Sequence, residues 1–314
     1  MKKILLDCDP GHDDMMAIML ACASDAIELL GITTVAGNQI GEKTFRNALQ
    51  VLTLINERHV PVARGADKPL VRELTVAPKI HGKSGLDGAE LPEPDVVPLD
   101  LPAVDFIIRT LKQADEKIIL VPTGPLTNIG AVLLQDPSVK EKIERIVLMG
   151  GALYDSNITP AAEFNIFVDP EAAKIVFEAG VPLTMVGLDV TNKAVITFEE
   201  IAKLSAQNGK VSGVVGPLLE FFAQANHDFF GIQGAPIHDA LAVASVIDPT
   251  VVETRRLNVE IETEGRLTSG RTVIDIYGVT GKTPNVDVAL KIDAAKFITI
   301  MQEAIKELDN AGLS

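Results

Sequence analysis

Four aspartates fall within eight residues near the start of the chain, in the run Asp7-Cys8-Asp9-Pro10-Gly11-His12-Asp13-Asp14. In an extended segment the period of two points Asp7 and Asp9 to the same side. Asp13 and Asp14 fall in the first turn of the helix that follows, whose N-terminal dipole favours anions. A helix cap and a solvated turn would account for Asp13 or Asp14, but not for Asp7, which is still embedded in the apolar strand Ile4-Leu5-Leu6. Carboxylates held this close repel one another, so a bound cation is their natural compensation. Oxygen ligands, with no Cys or His set at zinc spacing, favour a hard ion such as Ca²⁺ or Mg²⁺ over Zn²⁺.

Two further clusters carry residues that could do chemistry. Ile237-His238-Asp239-Ala240 opens a helix rich in Ala and Val. Asp239 reads there either as the helix cap, with His238 on the surface, or as the completion of a metal site. Between Thr159 and Glu171, Glu163 and Asn165 alternate with Phe164 and Ile166 and so share one face. That face suits grasping a polyol and is equally compatible with plain solvation. Asp169-Pro170-Glu171 reads as structure: a cap, a first helical position and an acid that complements the helix dipole.

The elements that must position these residues follow from hydrophobic periodicity. Apolar runs rich in Ile, Val and Leu lie at 3–8, 29–36, 60–63, 117–121, 145–149 and 182–186. Helical patterns separate them at 13–22, 41–57, 103–114, 128–135 and 170–179. Such alternation predicts an α/β fold: an open, mostly parallel sheet with helices on both faces. Ligands bind such a sheet beyond the carboxyl ends of its strands. Those ends are polar here: Asp7 to Asp14, Ala36-Gly37-Asn38, Pro122-Thr123-Gly124-Pro125, Met149-Gly150-Gly151 and Gly187-Leu188-Asp189-Val190-Thr191-Asn192. Helical patterns at 198–206, 211–230 and 238–247 follow, then alternating stretches at 256–262 and 271–277, a run at 286–291 and a terminal helix at 293–308. The alternation predicts a small antiparallel extension of the sheet. The connection 64–102 is long, weakly periodic and proline-rich, and contains His81-Gly82, which makes it a candidate lid. No repeat and no linker rich in Gly, Ser and Pro divides the chain, so a single domain over 1–314 is expected.

Composition bounds the function. The chain has 314 residues, 47% of them apolar, with 43 acidic against 28 basic side chains and a net charge of −15. That apolar content supports a packed core and argues against disorder. An acidic surface repels phosphate backbones, and no basic cluster exceeds a pair such as Arg255-Arg256, so nucleic acid is not an expected partner. No apolar run reaches the ~18 residues of a membrane helix, and Ile4-Leu5-Leu6 is too short for a signal peptide. The expectation is a soluble cytoplasmic protein. Cys8 and Cys22 lie beside apolar runs and read as reduced, buried thiols.

Taken in order, these segments resemble the nucleoside hydrolases, which cut the N-glycosidic bond of ribonucleosides. The resemblance rests on Asp7 to Asp14, Val35-Ala36-Gly37-Asn38, Val121 to Asn128, Val147-Leu148-Met149-Gly150-Gly151, Ala162-Glu163-Phe164-Asn165 and His238-Asp239, and it extends along nearly the whole chain. It implies a Rossmann-like sheet and a Ca²⁺ ion held by Asp9, Asp14, the backbone carbonyl of Thr123 and Asp239, with Asp9 as general base. It also implies that Asp13, Asn38, Asn157, Glu163 and Asn165 hold the ribose hydroxyls. His81 and His238 match family positions near the nucleobase, and a histidine pKa of about 6.5 suits proton donation. The segment 221–230, with Asn226, His227 and Phe230, would cover the base. Pyrimidine-preferring members often carry a Tyr where this chain has Phe230, so His227, one turn earlier, is the expected substitute. Phe164, Phe167 and Phe230 are candidates for stacking on the base.

The resemblance further implies uridine or cytidine as the substrates cleaved best, with a broader inosine and uridine activity as the alternative. It implies a place in nucleoside salvage and a homotetramer or homodimer. Two other classes fit parts of the pattern. Haloacid-dehalogenase-like phosphotransferases also open with Asp-x-Asp after a first strand, using Mg²⁺ and an aspartyl nucleophile, but want Thr or Val where this chain has Gly11. A non-catalytic ligand-binding protein on a similar scaffold would not need Asp9 beside a cation. Phosphorolysis would call for an Arg or Gly-rich phosphate cradle, and the sequence offers none.

Overall fold

Apolar runs become strands and periodic segments become helices in the computed structural model, which describes residues 1–207 and 209–311. The strands are β1 (Lys2–Cys8), β2 (Ile27–Thr34), β3 (Val62–Arg64), β4 (Ile118–Pro122), β5 (Ile143–Met149), β6 (Leu183–Val186), β7 (Val195–Thr197), β8 (Gly234–Pro236), β9 (Val252–Ile261), β10 (Thr272–Asp275) and β11 (Val286–Ile292). The first six helices are α1 (His12–Ala23), α2 (Gly41–Leu54), α3 (Pro78–His81), α4 (Ala103–Gln113), α5 (Thr127–Gln135) and α6 (Phe164–Val168). The remainder are α7 (Pro170–Phe177), α8 (Leu188–Thr191), α9 (Phe198–Ser205), α10 (Ser212–Phe230), α11 (His238–Ile247) and α12 (Ala294–Ala311).

Nine strands form one sheet in the order β10-β9-β11-β6-β5-β4-β1-β2-β3. Neighbours from β3 to β11 are parallel, whereas β9 runs antiparallel to β11 and β10 antiparallel to β9. The first six strands therefore lie in the doubly wound order 3-2-1-4-5-6, and the chain leaves β1 in opposite directions on its two sides. A crevice opens at that reversal, between the carboxyl ends of β1 and β4, where such sheets take their ligands. Asp7 stands at this point, in register with Thr33 of β2 and Pro122 of β4.

The alternating stretches at 256–262 and 271–277 overlap β9 and β10, the antiparallel extension that periodicity predicts. The run at 286–291 lies inside the sheet: β11 pairs parallel with β6 and antiparallel with β9, and Val286 and Val288 are fully buried. The antiparallel extension is thus β9 and β10. In addition, β7 and β8, three residues each, form a separate antiparallel pair, too short for alternation to reveal.

Both faces of the sheet are covered. Ile4, Leu6 and Cys8 pack with α1, α11 and α12, whereas Leu5 packs with α4, α5 and α7. Every residue of α1 from His12 to Ala21 is buried, as an all-round apolar helix requires. Cutting Met16 back to Ala would cost roughly 2–5 kcal/mol. This rigid helix carries Asp13 and Asp14 in its first turn.

The connection 64–102 is tied down at several points. Leu70 N–H donates to Asp169 Oδ2, Gln39 donates to the Gly82 carbonyl, and the Arg72 guanidinium bonds Glu171, Ser269 and the Thr263 carbonyl. Its residues 76–81 line the cavity described next. Among the described residues no helix is long and apolar enough to cross a membrane.

Candidate active site

After β1 the chain turns through Pro10 and Gly11 into α1, which leaves Asp9 at the strand end and Asp13 and Asp14 in the first helical turn. Asp239 joins them from the first turn of α11, and one oxygen each of Asp13, Asp14 and Asp239 lie within 4.8 Å of one another. Asp14 Oδ1 accepts from the Thr123 hydroxyl at 2.9 Å and from Asp9 N–H at 3.3 Å. Its Oδ2 accepts from Gly11 N–H at 3.0 Å and the Asn38 amide at 3.1 Å. Asp9 Oδ1 and Asp13 Oδ1 are buried without a hydrogen-bond partner among the described residues. The backbone approaches Asp9 closely at Gly37 and Gly124, where an added Cβ would stand 2.2 and 2.6 Å from the two carboxylate oxygens.

Burial, reinforced by mutual repulsion, sets the charge state of this group. It pushes Asp9 and Asp239 well above the carboxylate range and Asp13 to about 8; Asp14 rises for the same first reason. The charge of Asp14 is the second cause for Asp9 and Asp13, and that of Asp13 the second cause for Asp239. Among the described residues, the leading causes of these shifts include no Lys or Arg. Repelling, buried carboxylates with two orphaned oxygens are a set that a divalent cation compensates, and an all-oxygen set fits Ca²⁺ or Mg²⁺. The geometry draws Asp13, expected at the ribose, into the tightest carboxylate group. The Thr123 carbonyl accepts from the Asn165 amide at 2.6 Å and keeps a second lone pair.

Asp7 departs from the sequence reading, which pointed it the same way as Asp9. Its Oδ1 accepts from the Thr33 hydroxyl at 2.5 Å and the Asn128 amide at 2.7 Å, and burial raises it to about 7. It ties β1 to β2 and α5 and does not line the cavity.

A cavity of about 780 Å³ opens above the cluster. Asp13, Asn38, Thr123 and Asp239 line it from the strand and helix ends; Asn157, Glu163, Phe164 and Asn165 line it from α6 and the segment before it. Asn157 Oδ1 accepts from Phe164 N–H at 2.8 Å. Glu163 is the cap of α6: its carboxylate accepts from Asn165, Ile166 and Gly151 N–H groups at 2.9, 3.2 and 2.8 Å. Burial still lifts it to about 7. Phe167 lies outside the cavity lining.

His81, His238, Phe222, Asn226, Phe229 and Phe230 line the cavity from α3, α10 and α11. His238 Nδ1 lies 2.8 Å from the Thr191 hydroxyl, and His81 Nδ1 accepts from His12 N–H at 3.4 Å. Burial lowers His12 and His238 to about 4 and His81 well below its ordinary value. The expectation of rings titrating at about 6.5 is therefore corrected: desolvation keeps both cavity histidines neutral at neutral pH.

His227 is also corrected. It is exposed, stands edge-on to Phe198 with centroids 6.1 Å apart, and has Nδ1 3.2 Å from Gln233 Nε2. The reason is helical rotation: 222, 226, 229 and 230 share one face of α10, and 227 lies about 100° beyond 226. That spacing is the signal that could have found Phe222 and Phe229. Phe222 stacks on His12 and His81 at 5.1 and 5.2 Å, and the Lys79 ammonium stands 5.9 Å from the Phe229 ring centroid.

Comparison with known proteins identifies the family. The sequence profile of the inosine-uridine preferring nucleoside hydrolases matches residues 4–299. The chain is 48% identical over 304 residues to the pyrimidine-specific ribonucleoside hydrolase RihA of Escherichia fergusonii, covering 96% of this chain and 98% of that protein. RihA of Shigella flexneri is similar to the same extent. Among solved structures, a purine-preferring ribonucleoside hydrolase from Gardnerella vaginalis superposes with a TM-score of 0.92 at 37% identity, over 98% of this chain and 99% of that one. The chain belongs to the inosine-uridine preferring nucleoside hydrolase family.

Proposed function

We propose that the protein hydrolyses the N-glycosidic bond of ribonucleosides to ribose and free base, with pyrimidine nucleosides such as uridine and cytidine cleaved best. One observation carries the reading. The buried group Asp9, Asp13, Asp14 and Asp239 sits at the crevice of the sheet, under a cavity with amide and carboxylate side chains on one side and aromatic rings on the other. The pyrimidine preference is supported by 48% identity to proteins named as pyrimidine-specific. Asp9, Asn38 and Thr123 follow neighbouring strands of the large sheet, and α1, α3, α10 and α11 bring further residues to the same cavity, which supports a single domain.

Asp9, Asp14, Asp239 and the Thr123 carbonyl would hold Ca²⁺, with Asp13 beside them. Such an ion would supply Lewis acidity, lowering the pKa of a water in the site. Asp9 Oδ1, which has no partner, takes the proton of the attacking water, and Asn38 N–H on Oδ2 fixes the carboxylate's orientation. Asn38 and Asn165 have their amide nitrogens engaged within the protein, so their oxygens remain to accept from ribose hydroxyls alongside Asp13, while Asn157, whose Oδ1 accepts from Phe164 N–H, would donate from its amide nitrogen. As the sugar flattens toward an oxocarbenium ion, the carboxylate group stabilises its developing positive charge. At the other end His81 and His238 would meet the leaving base, beside the buried Phe222 and the partly exposed rings of Phe229 and Phe230.

The test is incubation with uridine, cytidine, inosine and adenosine, with and without a chelator, scored for free base and ribose. Uracil and cytosine should appear fastest and only without chelator. Release of base from none of the four sinks the proposal, a strict phosphate requirement turns it into phosphorolysis, and equal turnover of inosine and uridine replaces the pyrimidine preference.

A further inference from the structure

A fully buried hydroxyl stands behind one of the two cavity histidines. Thr191, the last residue of α8, has no exposed surface, and its Oγ1 lies 2.8 Å from Nδ1 of His238. Among the described residues that ring nitrogen is the hydroxyl's one side-chain or backbone partner. A buried O–H without an acceptor costs roughly 1–3 kcal/mol, and a hydroxyl has a single hydrogen to place. Were Nδ1–H to donate to Oγ1, the hydroxyl hydrogen would have nowhere to go. The hydroxyl therefore donates to Nδ1, which carries the lone pair. The proton of the neutral ring then sits on Nε2, the nitrogen left for a ligand in the cavity that His238 lines.

The backbone shows how this placement is held. Strands β7 and β8 pair Val195 with Pro236 and Thr197 with Gly234. Ile237 N–H donates to the Ala194 carbonyl at 2.8 Å, and Ala194 N–H to the Thr191 carbonyl at 3.0 Å. The segment leaving Thr191 and the segment entering His238 are thus locked in register by the small sheet. His81 has no such single partner: its Nδ1 lies 3.4 Å from both the His12 backbone N and the His12 Nδ1.

We infer that Thr191 is a positioning residue for the reaction: its hydroxyl holds His238 in the Nε2–H tautomer, so that the ring offers a hydrogen-bond donor to the departing base. The inference rests on His238 facing the nucleobase, as proposed above. As the bond to N1 of a pyrimidine breaks, its electron pair passes into the ring and onto the C2 carbonyl oxygen. A fixed donor stabilises that charge, whereas the opposite tautomer would present a lone pair to it.

Thr191→Val removes the hydroxyl with little change of shape. On uridine its kcat should fall at least about tenfold with KM changed by less than about threefold, and Thr191→Ser should recover to within about threefold of wild type. Histidine ¹⁵N NMR, with the resonance identified by its loss in His238→Phe, should place the proton on Nε2 in wild type and in Thr191→Ser. The wild-type spectrum decides the tautomer even if Thr191→Val does not fold. Wild-type turnover by Thr191→Val, no recovery in Thr191→Ser, or a proton on Nδ1 in wild type overturns the inference. Undiminished uridine turnover by His238→Phe instead overturns the reading of His238 as base-facing.

Discussion

The backbone N–H of Asn38 donates to Asp9 Oδ2 at 2.7 Å, and Asp9 Oδ1 is left buried and without a partner. A residue just after β2 thus orients a carboxylate just after β1. The Asn38 amide nitrogen also spans the Asp9 carbonyl at 3.2 Å and Asp14 Oδ2 at 3.1 Å. Asn38 is therefore part of the scaffold of the carboxylate cluster, and only its oxygen is left for a ligand.

Asp9→Asn preserves the shape of this arrangement and removes the base. Uridine binding by calorimetry should stay within about threefold of wild type while kcat falls by roughly 10²–10⁴. Turnover within tenfold of wild type would remove Asp9 as the base.

A site that hydrogen-bonds a hydroxyl rejects the analogue that lacks it, by roughly 10²-fold or more, because its buried polar groups are left unmet. The polar side of the cavity is built from Asp13, Asn157 and Asn165 as well as Asn38. Accordingly, kcat/KM for 2′-deoxyuridine should fall far below that for uridine, and equal values would dismiss these residues as ribose ligands.

Burial raises Asp13 to about 8 and lifts Asp9, Asp14 and Asp239 in the same direction. In chelator, the native state then holds protons that the unfolded chain has released. Stability should consequently be highest near about pH 4 and decline as pH rises toward about 8. Cation binding needs the deprotonated forms, so stabilisation by added Ca²⁺ should grow over the same window. Melting curves in EDTA and in Ca²⁺ measure both slopes; a Ca²⁺ shift that is absent, or larger at acid pH, would contradict the cluster's proposed role.

Rotation about α10 predicts opposite outcomes for two aromatic side chains. His227→Ala should leave uridine turnover and stability unchanged, the latter to within about 0.5 kcal/mol, as for an exposed site. Phe222→Ala should cost roughly 3–5 kcal/mol and loosen the rings of His12 and His81 that stack on it. Loss of activity in His227→Ala would show that its ring reaches the substrate after all.

Local pattern carried much of this molecule. The alternation of apolar runs with amphipathic segments, the polar strand ends and the run from Asp7 to Asp14 are all written within short windows of chain. That is enough to read a parallel α/β sheet and the position of its crevice. The cap formed by Asp169 and Pro170 was legible for the same reason: Asp169 Oδ1 accepts from Ala172 N–H at 3.0 Å, three residues on.

Tertiary structure decided what depends on distant partners. Asp14 is held by Asn38, 24 residues away, and by Thr123, 109 residues away; Arg72 meets Glu171 across 99 residues. Spacing pointed Asp7 to the ligand, yet Thr33 and Asn128 claim its Oδ1 from β2 and α5, and its Oδ2 is buried without a partner among the described residues. The histidines looked titratable because a sequence records no burial, and desolvation is what lowers them. His227 and Phe222 differ only in which way α10 is turned, and the sheet and helices around it set that turn. The sequence by itself determined which residue types stand at the strand ends. Only the packing determined which oxygens remain free, which protons are held, and which nitrogen of His238 meets Thr191, because hydrogen bonds and desolvation belong to neighbours in space.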